Sequence, residues 1–141
     1  MVKCLKNHGA TLDDLTEIYT KQLSSILEFG APVWNSGLTK AESAEIERVQ
    51  KAFLNIALGI KYHTYENALE VANLECLETR RGKLCTTFAR KSQRNPKHCD
   101  WFKSNEYTHN TRSSKPDLKV PLHRLARFRD SPIPYLTRLL N

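Results

Sequence analysis

The stretch 39-TKAESAEIERVQKAFLNIALG-59 decides the fold. Thr39 followed three residues later by Glu42 is a capping box, in which the hydroxyl and the carboxylate each satisfy a free backbone N–H. Ile46, Val49, Phe53 and Ile56 recur at i, i+3, i+7 and i+10, one apolar stripe on an otherwise charged rod. Gly59 supplies the stop. The spacing predicts a long amphipathic helix that needs other helices to cover its stripe.

Toward the N-terminus, Thr11 caps a helix expected to run to about Phe29, with Asp13, Asp14 and Glu17 at the positive end of its dipole. Leu15, Ile18, Tyr19, Gln22, Leu23, Ile26 and Leu27 recur at helical spacing. Gly30 ends the run, and 31-APVWNSGL-38 reads as a loop. Toward the C-terminus, Thr64 caps a short helix through about Val71, with Leu69 and Ala72 inward, and Asn73-Leu74 begins a turn. A further helix runs from about Leu77 to Arg94, with Leu77, Leu84, Cys85 and Phe88 on its apolar side. Arg81 falls inside that sector, which calls for an acidic partner. One more turn is expected toward Trp101 and Phe102. From Lys103 to Asp130 the periodicity fades, and 111-TRSSKPDLKVP-121 reads as extended or mobile. The two prolines of 131-SPIPYLTRLLN-141 limit the end to a short helix after Pro134. Ile133, Tyr135, Leu136, Leu139 and Leu140 are expected to dock. The fold class is all-α: a small bundle of about four helices with an irregular basic tail.

At 141 residues, 40% of them hydrophobic, there is room for one modest core. No apolar run approaches the roughly 20 residues of a membrane helix. The opening MVKCLKNHGA has no apolar signal region. The expected location is therefore the nucleus or cytoplasm, with Cys4, Cys76, Cys85 and Cys99 reduced and Cys85 in the core. Charge divides unevenly. Residues 1–78 hold 7 Lys+Arg against 11 Asp+Glu, whereas residues 79–141 hold 15 against 4. Such asymmetry points to a polyanionic partner.

Catalytic and metal chemistry find little to stand on. Glycines are scattered singly, so no phosphate loop forms. Cys76, Cys85, His98 and Cys99 lack paired metal-ligand spacing, and His109 reads as a solvated loop residue. Cys99 has cationic neighbours, but no orienting or oxyanion group accompanies it. Asp13-Asp14 sits where a helix N-terminus favours acid, and reads as capping rather than as a Mg²⁺ pair.

Two stretches resemble one family. Leu27-Glu28-Phe29-Gly30, Pro32-Val33-Trp34, Leu38-Thr39, Glu47-Arg48-Val49-Gln50-Lys51 and Gly59 resemble the segment after the catalytic palm in jockey-like non-LTR retrotransposon reverse transcriptases, with Phe29 where tyrosine is common. The stretch from Tyr65, with its Arg80-Arg81 helix and its terminal Ser131-Pro132-Ile133-Pro134-Tyr135-Leu136-Thr137-Arg138-Leu139-Leu140-Asn141, resembles the closing region of the same family. The resemblance implies a thumb-like helical region at 1–62, a helical basic extension at 63–102 and an irregular tail at 103–141. It places the polymerase palm and its catalytic aspartates upstream of Met1. The implied function is that of a non-catalytic fragment of an RNA-directed DNA polymerase. It would hold an RNA or DNA primer–template by phosphate contacts from Arg80, Lys83, Arg90, Lys91, Arg94, Lys97, Arg124, Arg127 and Arg129, joined by Lys40, Arg48 and Lys51. No catalytic residue, cofactor, metal or membrane is expected, and the palm of a parent polyprotein is a second expected partner. The alternative is a protein-docking fragment, or a relic with no independent function.

Overall fold

The computed structural model describes residues 1–105 and 117–141, and these are all-α, with no strand among them. His109 and the 111–116 part of the expected mobile segment lie outside the described residues. Helices are more numerous than the four expected. They are α1 (Val2–Asn7), α2 (Leu12–Ile18), α3 (Ser24–Glu28), α4 (Ala31–Trp34), α5 (Lys40–Leu58), α6 (Tyr65–Val71), α7 (Leu77–Arg94), α8 (Ala126–Arg129) and α9 (Pro132–Leu140). The chain divides into two compact units, Met1–Phe29 with Leu38–Arg81, and Gly30–Gly37 with Gly82–Asn141.

In the first unit the caps form as their residue types dictate. The Thr11 Oγ1 accepts from the Asp14 N–H, and the Asp14 carboxylate accepts from the Thr11 N–H at 3.0 Å. Thr39 and Glu42 make the same reciprocal pair, 2.8 Å from the Thr39 N–H to the carboxylate. Thr64 Oγ1 accepts from the Asn67 N–H. After α6, Asn73 adopts φ 51°, and Leu74 N–H returns to the Leu69 carbonyl at 2.9 Å, which closes the helix end. Leu15, Tyr19, Phe53, Leu54, Ala57, Leu58, Ala68 and Ala72 form the core. Tyr19 stacks on Phe53 with centroids 4.3 Å apart.

The first predicted helix is present, but α2 and α3 are joined by a π-turn over Tyr19–Leu23. A π-turn inserts one residue and rotates everything after it by about a quarter turn. The inward stripe is therefore Leu15, Tyr19, Ser24 and Glu28, while Ile26 points outward at 72% exposure. Helix α5 departs similarly from its apolar reading. Val49 and Ile56 are exposed, and the buried residues are Gln50, Phe53, Leu54, Ala57 and Leu58. Polar residues occupy the N-terminal half of the inward face, so a stripe drawn through apolar residues alone is rotated from the true one.

In the second unit, 31-APVWNSGL-38 is not a plain loop. Gly30 takes a left-handed φ of 66°, and α4 then begins, with Pro32 in its first turn where no intrahelical N–H is required. A short 3₁₀ turn over Asn35–Gly37 follows. The same argument corrects the terminal helix. Pro132 and Pro134 both fall in the first turn of α9, so the helix starts at Pro132 rather than after Pro134. Leu136 is buried with Cys85, Ala89, Phe102 and Leu118, whereas Ile133 and Leu139 stay exposed. The Asn35 Nδ2 donates to the Tyr135 hydroxyl at 3.1 Å. Among the described residues of the tail, Ser104 and Leu118 form an antiparallel bridge, and Asn141 clasps both backbone groups of Leu118.

Helix α7 runs through both units and has the bounds its sequence predicts. Its buried positions are Leu77, Arg81, Cys85, Ala89 and Ser92; Leu84 and Phe88, expected inward, are exposed.

Candidate nucleic-acid interface

Along α7 and just beyond it, residues 82–99 contain five basic residues and no acidic one. Lys83, Arg90, Lys91, Arg94 and Lys97 are all exposed. The small or apolar residues Cys85 and Ala89, with Ser92, take the inward side of the helix, and the long cations project from the rest. Arg90, Lys91, Arg94 and Lys97 have no carboxylate within ion-pair distance among the described residues. Arg124 and Arg127 are likewise exposed in and before α8.

Other expected site residues are engaged within the fold. Arg80 Nε lies 2.5 Å from Glu28 Oε1, and Nη2 lies 3.2 Å from Oε2, a fork-on-fork pair. The Glu28 side chain is 9% exposed, and Ser24 Oγ also donates to it at 3.0 Å. The hydrogen bond to Glu28 raises the Arg80 guanidinium above its ordinary pKa. Arg48 pairs with Glu45 at 2.7 Å across one turn of α5. The Lys51 ammonium sits 4.9 Å over the Tyr65 ring. Arg129 makes a two-point pair with Asp130, and that hydrogen bonding holds the Asp130 carboxyl below its ordinary value. Lys40 is exposed at the start of α5. The candidates thus fall in both units: Lys40, Arg48, Lys51 and Arg80 in the first, and Lys83, Arg90, Lys91, Arg94, Lys97, Arg124, Arg127 and Arg129 in the second.

Sequence reasoning placed Arg81 among the apolar positions of its helix, as its burial bears out, but missed the polar seam around it in the first unit. Arg81, 1% exposed, donates from Nη2 to Ser43 Oγ at 2.7 Å. Glu47 accepts from the Tyr65 hydroxyl and from the Leu77 N–H at 3.1 Å, so it satisfies the first free donor of α7. Gln50 donates to the Glu75 carbonyl at 2.9 Å. Burial, then Glu47, pushes the Tyr19 and Tyr65 hydroxyls above their ordinary values. Ser43, Glu47 and Gln50 sit at i, i+4 and i+7 of α5, and that polar periodicity was the available signal.

No family model matches the chain, and no curated protein or solved structure does either. Among the described residues, no group of three or more His, Cys, Asp or Glu side chains is placed to hold a metal ion. Asp14 is engaged as the partner of Thr11, whose hydrogen bonds lower its pKa. No helix among the described residues is long and apolar enough to cross a membrane.

Proposed function

We propose that this chain is a non-catalytic nucleic-acid-binding module of reverse-transcriptase descent, and that it grips phosphates through its second unit. One observation carries the reading: Arg90, Lys91, Arg94 and Lys97 are exposed along one helix and its exit, without acidic partners among the described residues. Fixed cations at that density displace the counterions condensed on a nucleic acid, which favours binding without regard to base sequence. The second unit carries 13 basic residues against 4 acidic ones. The ordered boxes around Pro32-Val33-Trp34, Glu47 to Lys51 and Ile133 to Asn141 support the descent.

Fluorescence anisotropy of the full chain against a labelled RNA–DNA hybrid tests this. Binding should weaken linearly on a log–log plot against salt. The variant carrying Arg90→Ala, Lys91→Ala, Arg94→Ala and Lys97→Ala should flatten that slope by about 3 to 4, one counterion per lost contact. Absence of micromolar binding at low salt would refute the proposal, as would an unchanged slope in the variant.

A further inference from the structure

The second unit carries a half-open cavity of about 740 Å³, within the range of small-molecule sites. Its walls are Phe88, Trp101, Phe128, Ile133 and Leu136, with four prolines. Several of these are apolar residues left unusually open: Phe88 and Trp101 are each 38% exposed. They come from separate stretches of chain and converge on one space.

Two lysines line the same cavity, Lys103 and Lys119. The antiparallel bridge between Ser104 and Leu118 puts them there. Asn105 N–H donates to the Asp117 carbonyl at 2.9 Å, and Lys119 N–H donates to the Lys103 carbonyl at 2.8 Å. Lys103 and Lys119 are therefore the directly opposed residues of this short pairing. Like charges directly opposite across a pairing repel and destabilise it. Neither ammonium has an ion-pair partner among the described residues. The lining also holds one carboxylate, Asp100, so the excess is cationic.

We infer that this cavity binds an anionic amphiphile of the long-chain carboxylate class, its head group between Lys103 and Lys119 and its hydrocarbon chain against Phe88, Trp101, Phe128 and Leu136. A shared anion relieves the repulsion of the opposed lysines. A hydrocarbon chain satisfies walls that offer few polar partners. A nucleobase fits less well, because its ring edges would be buried without hydrogen bonds. The Ser131 hydroxyl, the polar uncharged side chain in the lining, already donates to the Phe128 carbonyl at 2.7 Å. None of Arg90, Lys91, Arg94 and Lys97 lines the cavity, so the inference does not rest on nucleic-acid binding.

Titration of the full chain with dodecanoate, followed by tryptophan fluorescence, tests the assignment. The expected result is a saturable change below the micellar concentration. That change should be lost in Trp101→Phe, which retains Trp34 as the second fluorophore. Dodecyltrimethylammonium, with the same chain and the opposite charge, should bind at least about tenfold more weakly. The double variant Lys103→Ala, Lys119→Ala alters exposed side chains and should keep its far-ultraviolet dichroism while losing about tenfold in dodecanoate affinity. Equal binding of the two detergents overturns the proposal, as does full dodecanoate affinity in the double variant. Displacement of bound dodecanoate by a short oligothymidylate, with loss of oligothymidylate binding in the double variant, would assign the cavity to nucleic acid instead and equally overturn it.

Discussion

In the first unit, Lys21, Arg48 and Arg80 each meet a carboxylate of that unit, Lys51 covers the Tyr65 ring, and Lys6 donates to the Ile56 carbonyl at the end of α5. In the second unit, Asp130 engages Arg129 and Arg138, while Arg90, Lys91, Arg94, Lys97, Lys103, Lys119, Arg124 and Arg127 stand exposed. Most basic residues of the first unit have a local partner, although Lys40 is exposed there, whereas most described ones in the second have none. Net charge alone does not separate these uses; the number and placement of local carboxylates do. The proposed interface for a polyanion rests on cations that have no local carboxylate among the described residues.

The sharpest way to break that contrast is Glu28→Ala. It leaves the Arg80 guanidinium, 32% exposed, without its carboxylate, and should destabilise the chain by about 3 kcal/mol in urea unfolding. Thr39→Ala should cost about 1 kcal/mol through the lost cap of α5. It also carries a pH signature. Thr39 holds the Glu42 carboxyl below its ordinary value of 4.5, so that part of the stability is present above this pH and fades as pH falls through the folded value. The Thr39→Ala protein should therefore show a shallower acid limb than the parent in a pH series of urea midpoints. Smallest are Arg48→Ala and Arg90→Ala, each expected to leave the urea midpoint nearly unchanged. They should part in anisotropy, where Arg90→Ala weakens hybrid binding and Arg48→Ala does not. A stability loss at Arg90 comparable to that at Glu28 would erase the distinction between the units.

Helix ends were readable in the sequence because they are set by chemistry within four residues. Thr39 with Glu42, Thr64, and Gly59 at φ 61° all mark boundaries where the structure has them. Buried faces were not readable, because hydrophobicity is a poor guide where polar side chains point inward in pairs. Ser43 with Arg81, Glu47 with Tyr65, and Glu28 with Arg80 each need a partner distant in sequence, 52 residues away in the last case. The basic candidates were visible as residue types, but which of them the fold engages was not. The cavity left still less trace, since its lining comes from stretches as far apart as Pro32 and Leu136. The short helices α4 and α9 were obscured by proline, whose position in the first turn rather than mid-helix decides its effect.

The π-turn over Tyr19–Leu23 makes one part of the chain indifferent to its own length. Thr20 and Lys21 are exposed there. Removing either codon would let the segment close into an unbroken α-helix while Ser24 and Glu28 keep their inward faces, because the turn already contains one residue more than regular winding requires. The same deletion inside α5 would swing every following side chain by about 100° and carry Phe53 and Leu54 away from the core. A deletion scan should thus find a tolerated gap at positions 20–21 beside intolerant neighbours, because the surplus residue is absorbed locally rather than passed along the helix.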